Sequence, residues 1–242
     1  MKRAIYHMLV PRIIRERLYK MHLREIREKD AEERRVWAAA LPEISLSPGY
    51  IRKLQVVIDR PALLWKLPAE SVVALIGGAD LETVRQLLVV ARPVRLHLVD
   101  LWDRYGPQHL DTVHRVFVDA VAEGRLVINA GDPVAELSRF PDEYFDWAYL
   151  NCRFSYEETY ALLDTCRVKI KDAGIIAGSN YGTGSWVTGE RYGVVEAVNR
   201  FCKRHQWEMA FLTHDTGRCL TYAIQEMAGA RQKSTEYASN SL

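Results

Sequence analysis

Five short apolar runs between Val72 and Tyr181 each stop at small or polar residues. VVALI ends at Gly77-Gly78, RLHLV at Asp100, LVINA at Gly131-Asp132, FDWAYL at Asn151 and GIIAG at Ser179-Asn180. Runs of this length bounded by turn formers predict strands, and the helix-like segments between them predict parallel crossovers. In an open parallel sheet, ligands bind in the crevice beyond the carboxyl ends of the strands. A chain that sets a polar or small residue at each of those ends is building one composite site. The pattern points to an enzyme or a small-molecule binder.

The pattern predicts strands at about 71–77, 95–101, 126–130, 145–150 and 174–178, with helices at about 80–91, 108–122, 133–139, 155–170 and 190–205. A further helix is expected across Pro61 to Leu67. WEMAFLTHDTGRCLTYAIQE adds two strands around Asp215-Thr216-Gly217, a connection too short for a parallel crossover, so the last strand must run antiparallel. The expected fold is α/β: a Rossmann-like, seven-stranded, mostly parallel sheet with helices on both faces. Residues 1–48 read as a basic helical arm and turn-rich connector, 49–228 as the α/β domain, and 229–242 as a polar tail.

Charge separates arm from body. Residues 1–40 hold eleven Lys/Arg against six Asp/Glu, leaving 22 basic and 25 acidic groups of the chain's 33 and 31 in the remainder. A mildly acidic body argues against nucleic-acid binding. The arm has an imperfect apolar stripe beside its cationic first half. It suits docking on an anionic membrane surface or on a protein partner, or it is a solvated helix. Homo-oligomerisation stays open. Cys152, Cys166, Cys202 and Cys219 form no CxxC pair, which fits a reducing cytoplasm and neither a zinc site nor a disulfide framework. The apolar runs are too short to span a membrane, and the start lacks the apolar region of a signal peptide. A cytoplasmic protein is the expectation, with contact at the inner membrane face through the arm left open beside the other two readings of that helix.

At the strand ends, Gly77 and Gly78 open a strand-to-helix turn where a ligand can approach the backbone. No Gly-Lys-Ser/Thr follows, so this is not a P-loop. Asp100, with Leu101 beyond it, stands about twenty residues further on, where a carboxylate grips a ribose diol; a helix cap is the alternative. Asp132 either accepts from an adenine amino group or caps the helix from Pro133.

In order, the stretches VVALIGGADLE, RLHLVDLW, INAGDPVAEL, FDWAYLNCRFSYEETYALL, RVKIKDAGIIAGSNYG and YGVVEAVNRFC resemble the class I S-adenosylmethionine-dependent methyltransferases, over about residues 70–225. The resemblance implies a seven-stranded sheet with an antiparallel last strand. It also implies S-adenosylmethionine as cofactor, held by Gly77, Gly78, Asp100, Leu101, Asp132 and Asn151, and a small-molecule or glycan hydroxyl as acceptor. Departures are specific. Leu75 replaces the acid before the first glycine, Leu81 a later glycine, Asn151 an Asp, Phe154 a His, and Ser179-Asn180 an Asp pair. Amides, a hydroxyl and a phenyl ring are poor holders of a hard cation, so no metal is expected. His214 and Tyr181 are the candidate catalytic groups. Arg153, Tyr156, Asn180 and Trp186, the last in the GTGSWVTGE loop, are the candidate acceptor contacts, although packing explains several of them equally well. The rival expectation is a catalytically silent methyltransferase-like binding module; adenine-nucleotide binding of another sort is a third.

Overall fold

The computed structural model describes residues 12–42, 44–78, 80–102, 107–151, 155–185, 190–214 and 220–228, without the side chains of Arg12, Ile13, Arg15, Ala38 and Pro107. The chain divides into two compact units, 1–43 and 44–242. The first contains one long helix, α1 (Arg12–Ala40). It is laced in its later part by the i,i+3 and i,i+4 pairs Arg24–Glu28, Lys29–Glu33 and Glu32–Arg35. Its apolar residues Ile14, Leu18 and Met21 are each about half exposed (49%, 48% and 53%). No helix among the described residues is long and apolar enough to cross a membrane.

In the second unit the elements run α2 (Pro48–Ile51), β1 (Gln55–Val57), α3 (Arg60–Leu64), β2 (Val72–Ile76), α4 (Leu81–Gln86), β3 (Arg95–Asp100), α5 (Pro107–Val116), α6 (Val118–Ala122) and β4 (Leu126–Ala130). They continue with α7 (Pro133–Ser138), β5 (Phe145–Leu150), α8 (Tyr156–Lys169), β6 (Ile170–Gly178), α9 (Val194–His205), β7 (Trp207–Thr213) and β8 (Tyr222–Glu226). One sheet holds all the strands in the order β4-β3-β2-β5-β6-β8-β7-β1. Among the described residues, only β8 runs antiparallel to its neighbours.

Alternation along the strands builds two cores. Val73, Leu75, Leu96, Leu98, Trp147 and Tyr149 face α3, α4, α5 and α6. Ala74, Ile76, Ala148, Leu150, Ile176 and Ile224 face α7, α8 and α9. Strands buried on both faces read as continuous apolar runs, which is why VVALI and FDWAYL stood out. Trp147 is fully buried, and its indole N–H is satisfied by the Ser71 hydroxyl at 2.8 Å and the Pro68 carbonyl at 3.1 Å. Truncation there removes the largest side chain of the central strands, at a cost of about 3–5 kcal/mol.

Three departures from the sequence expectation are the largest. The sheet has eight strands rather than seven, because Gln55–Val57 pairs parallel to β7 at the edge. β6 begins at Ile170 rather than 174, with the exposed Lys171-Asp172-Ala173 included and Ala173 in a left-handed conformation (φ 58°). The helix expected across 108–122 is interrupted at Phe117 (φ −113°, ψ 30°), giving α5 and α6.

Candidate functional site

The five stops form a physical row. Backbone hydrogen bonds continue past the strands: Gly131 N–H donates to Asp100 at 3.0 Å, Gly77 to Val99 at 2.8 Å, Asn151 to Ile76 at 2.9 Å and Ser179 to Leu150 at 2.9 Å. Across the carboxyl edge the order is therefore Gly131, Asp100, Gly77, Asn151, Ser179. The chain fills β2, β3 and β4 in one direction, then returns to place β5 on the other side of β2. The switch point, where such sheets bind ligands, falls between Gly77-Gly78 and Asn151.

Gly77 and Gly78 both take positive φ (68° and 53°), a conformation that glycine adopts without strain. Gly78 is also pressed onto the end of β5: a Cβ there would lie 1.8 Å from the Asn151 carbonyl oxygen. The Asn151 side chain bridges the crevice. Its Nδ2 donates to the Gly78 carbonyl at 2.6 Å and to Asp80 Oδ2 at 2.9 Å, with Thr83 Oγ1 at 3.3 Å. Its Oδ1 accepts from the Ser179 hydroxyl at 2.8 Å. Asp80 is the N-cap of α4, its Oδ1 accepting from Thr83 N–H at 2.8 Å. Arg60, from α3, donates to Thr83 Oγ1 at 2.9 Å and to Gln86 at 2.8 Å. Asp80, Arg60 and Thr83 are not among the residues that the sequence pattern singled out for the site. A signal was present in the Asp at the turn facing an Asn, not an Asp, at the end of β5.

Asp100 ends β3 with its side chain buried, on the face shared by Leu96 and Leu98, and Leu101 beyond it is 39% exposed. Asp132 accepts from Ala135 N–H at 2.9 Å and is the N-cap of α7, following Gly131. Asn180 is left-handed (φ 62°), next to the Ser179 that holds Asn151. Tyr156 opens α8 behind the Ser155–Glu158 capping box, stacks on Tyr160, and is abutted by Gly193, whose Cβ would lie 2.4 Å from the Tyr156 nitrogen. Tyr181 donates its hydroxyl to Asn199 Oδ1 at 2.7 Å, and Asn199 in turn donates to the Ile44 carbonyl at 2.8 Å. Burial, with Cys202 and Glu196 nearby, pushes the Tyr181 phenol up to about 12, so it keeps its proton near neutral pH.

His214 stands exposed beyond β7, its backbone N–H bonded to the Val57 carbonyl at 2.8 Å. β7 is three strand spacings from β5, about 14 Å. The row thus gathers Gly77, Gly78, Asp100, Leu101, Asn151 and Asn180, whereas His214 is not brought to the crevice. Arg153, Phe154 and Trp186 lie outside the described residues. Among the described residues, no group of three His, Cys, Asp or Glu could hold a metal ion. Cys166 and Cys202 are free and buried, and burial pushes both thiols up to about 12, consistent with packing roles.

No protein-family model matches the chain, and no curated protein matches it. Solved structures do. The pyocyanin biosynthetic protein PhzM is 14% identical with a TM-score of 0.51, over 66% of this chain and 51% of that one. A SAM-dependent methyltransferase from Aquifex aeolicus is 12% identical with a TM-score of 0.50, over 76% of this chain and 100% of that one. The B. subtilis m1A22 tRNA methyltransferase TrmK is 8% identical with a TM-score of 0.52, over 73% and 68%. The chain matches only about half the length of PhzM. These likenesses define the class of fold: the Rossmann-like α/β architecture of the class I S-adenosylmethionine-dependent methyltransferases.

Proposed function

We propose that this protein is an S-adenosylmethionine-dependent methyltransferase that acts without a metal ion on a small-molecule or sugar hydroxyl. The observation carrying the reading is the row itself, a positive-φ glycine turn and a strand-end carboxylate on adjacent strands at the switch point. The residues present fit the cofactor. Gly77 and Gly78 give backbone access, Asp100 offers acceptors for a ribose diol, and Leu101 gives an apolar edge for adenine. The bound cofactor would supply an electrophilic methyl group on its sulfonium. The chain's part is to orient it and exclude water, and such positioning accounts for much of the acceleration in an in-line displacement. With Tyr181 holding its proton and His214 about 14 Å from β5, positioning rather than a strong base is the contribution of the crevice. Asn151 and Ser179, without carboxylates, support a metal-free reaction.

PhzM, as a biosynthetic protein, supports a small-molecule acceptor, and the acidic body weighs against an RNA acceptor of the kind TrmK uses. The second reading is a silent binding module with the same fold. What favours it is that Asn151 spans the crevice with the protein's own hydrogen bonds. Calorimetric titration with S-adenosylmethionine and S-adenosylhomocysteine separates the two. Micromolar binding that Asp100→Ala abolishes supports the enzyme; absence of heat with folded protein supports the silent module.

For α1 we propose peripheral docking on an anionic membrane surface at the cytoplasmic face. Ile14, Leu18 and Met21, at i, i+4 and i+7, share one stripe with Arg17 and Arg24 beside it.

A further inference from the structure

Val56 is the one large apolar strand residue among the described residues that stands exposed, at 64%, and Ile58 just beyond β1 is 75% exposed. Val57 pairs with Thr213, and its carbonyl accepts from His214 N–H at 2.8 Å. The N–H and C=O groups of successive strand residues point to opposite sides, so Gln55 and Val57 serve β7 while Val56 turns both its groups outward. No backbone partner among the described residues takes them. Edges of this kind are normally blunted by charge, proline or cover. From Leu54 to Ile58 the chain, LQVVI, has neither charge nor proline. The opposite edge is different: β4 keeps Leu126 buried and Val127 and Ile128 partly covered.

We infer that β1 is the interface of a homodimer, in which the β1 strands of two copies pair antiparallel across a twofold axis centred on Val56. A residue that faces itself across such an axis exchanges both N–H···O bonds with its twin, so Val56 satisfies its two outward groups without any other sequence. Counting outward, Lys53 of one copy comes to Asp59 of the other at both ends, and the charges are opposite. The Lys53 side chain is half exposed, and Asp59 caps α3 through Oδ1. Arg52 and Arg60 would form the next pair, but Arg60 is turned inward onto Thr83 and Gln86. Centring on Ile58 would instead bring the start of α3 against Val56, where the chain has left the extended form. Because the paired strands run opposite ways, the two carboxyl edges face opposite directions and each crevice keeps its own opening. One short strand with Val56 and Ile58 is a small contact, so the dimer is reversible, with a dissociation constant of roughly 1–100 µM.

Sedimentation velocity of the full chain from about 1 to 200 µM tests the pairing. The expected result is a concentration-dependent monomer–dimer equilibrium. Val56→Pro removes one outward donor and no bond to β7, and proline is tolerated where a strand N–H faces away from its sheet. It should raise the dissociation constant about tenfold or more, as should Val56→Lys, which puts two like charges face to face. Leu18→Glu, in α1, should leave the equilibrium unchanged. Disulfide capture with diamide reads the register. Cysteines at 56 would have Cα atoms about 5.5 Å apart, within disulfide reach, whereas those at 58 would lie roughly 13 Å apart along the strands. Val56→Cys should therefore cross-link above the wild-type background and Ile58→Cys should not. A wild type that stays monomeric throughout would overturn the pairing. So would a dimer that both Val56 variants leave intact or that Leu18→Glu abolishes, or capture at 58 in preference to 56.

Discussion

The Asn151 side-chain amide donates to the Gly78 carbonyl at 2.6 Å, and the backbone carbonyl oxygen of Asn151 lies 1.8 Å from where a Cβ on Gly78 would be. Two strand ends that are 73 residues apart in sequence are thereby clamped at the switch point of the sheet. Glycine is required on one side of the clamp and an amide on the other.

Gly78→Ala meets both a left-handed backbone and the Asn151 carbonyl, and a rigid strand end cannot easily give way. The expected cost is about 2–4 kcal/mol, read as a lower denaturation midpoint at constant m-value. A loss below about 0.5 kcal/mol would mean that the turn relaxes freely.

Tyr181→Phe should act on stability and not on ligand binding. It leaves Asn199 Oδ1 without its 2.7 Å donor, at a cost of about 1–2 kcal/mol. A variant with wild-type stability and abolished methyl transfer would instead return Tyr181 to the chemistry.

His97 sets a pH dependence. Its ring is buried between Asn129 and Tyr144 at 3.2 Å from each, and packs edge-on against Phe140 and Phe145. Burial, with Arg95 adding to it, holds its pKa below the ordinary 6.5, although the Asn129 bond opposes the shift. The unfolded chain therefore binds the proton more readily. The resulting stability is present above about pH 6.5 and is lost as pH falls through that value towards the lower folded pKa. His205, also lowered, chiefly by burial, contributes in the same direction. Denaturation across pH 7.5 to 5 should show a shallower decline in His97→Gln than in wild type. Parallel curves would exclude His97 as a source.

For α1, sedimentation with phosphatidylglycerol vesicles should recover the full chain, and recovery should fall between about 0.05 and 0.5 M salt. Deletion of residues 1–40 should abolish it. Unchanged binding after the deletion, or equal recovery on phosphatidylcholine alone, would contradict the membrane assignment.

The legible parts of the sequence were those where burial on both faces forces a continuous apolar run. β2, β3 and β5 therefore fall within a residue or two of expectation, and their stops align in one row with those of β4 and β6. β1 was missed because three residues with an exposed Val56 carry neither an apolar run nor an alternating period. Asn151 was read as a lost carboxylate. Its meaning depends on Asp80, which only the return of β5 beside β2 brings within 2.9 Å. His214 looked like a site residue because it follows a strand, but lateral order within the sheet, invisible to local pattern, sets it apart.

The central claim is that the row Gly131, Asp100, Gly77, Asn151, Ser179 is a cofactor site. Its most direct test is to follow backbone amide resonances of the labelled protein during titration with S-adenosylhomocysteine. Saturable shifts clustered at Gly77, Gly78, Asp100, Leu101, Gly131, Asn151 and Ser179 are the predicted result. A saturating ligand that leaves these amides unmoved, or moves a different surface, would contradict the account.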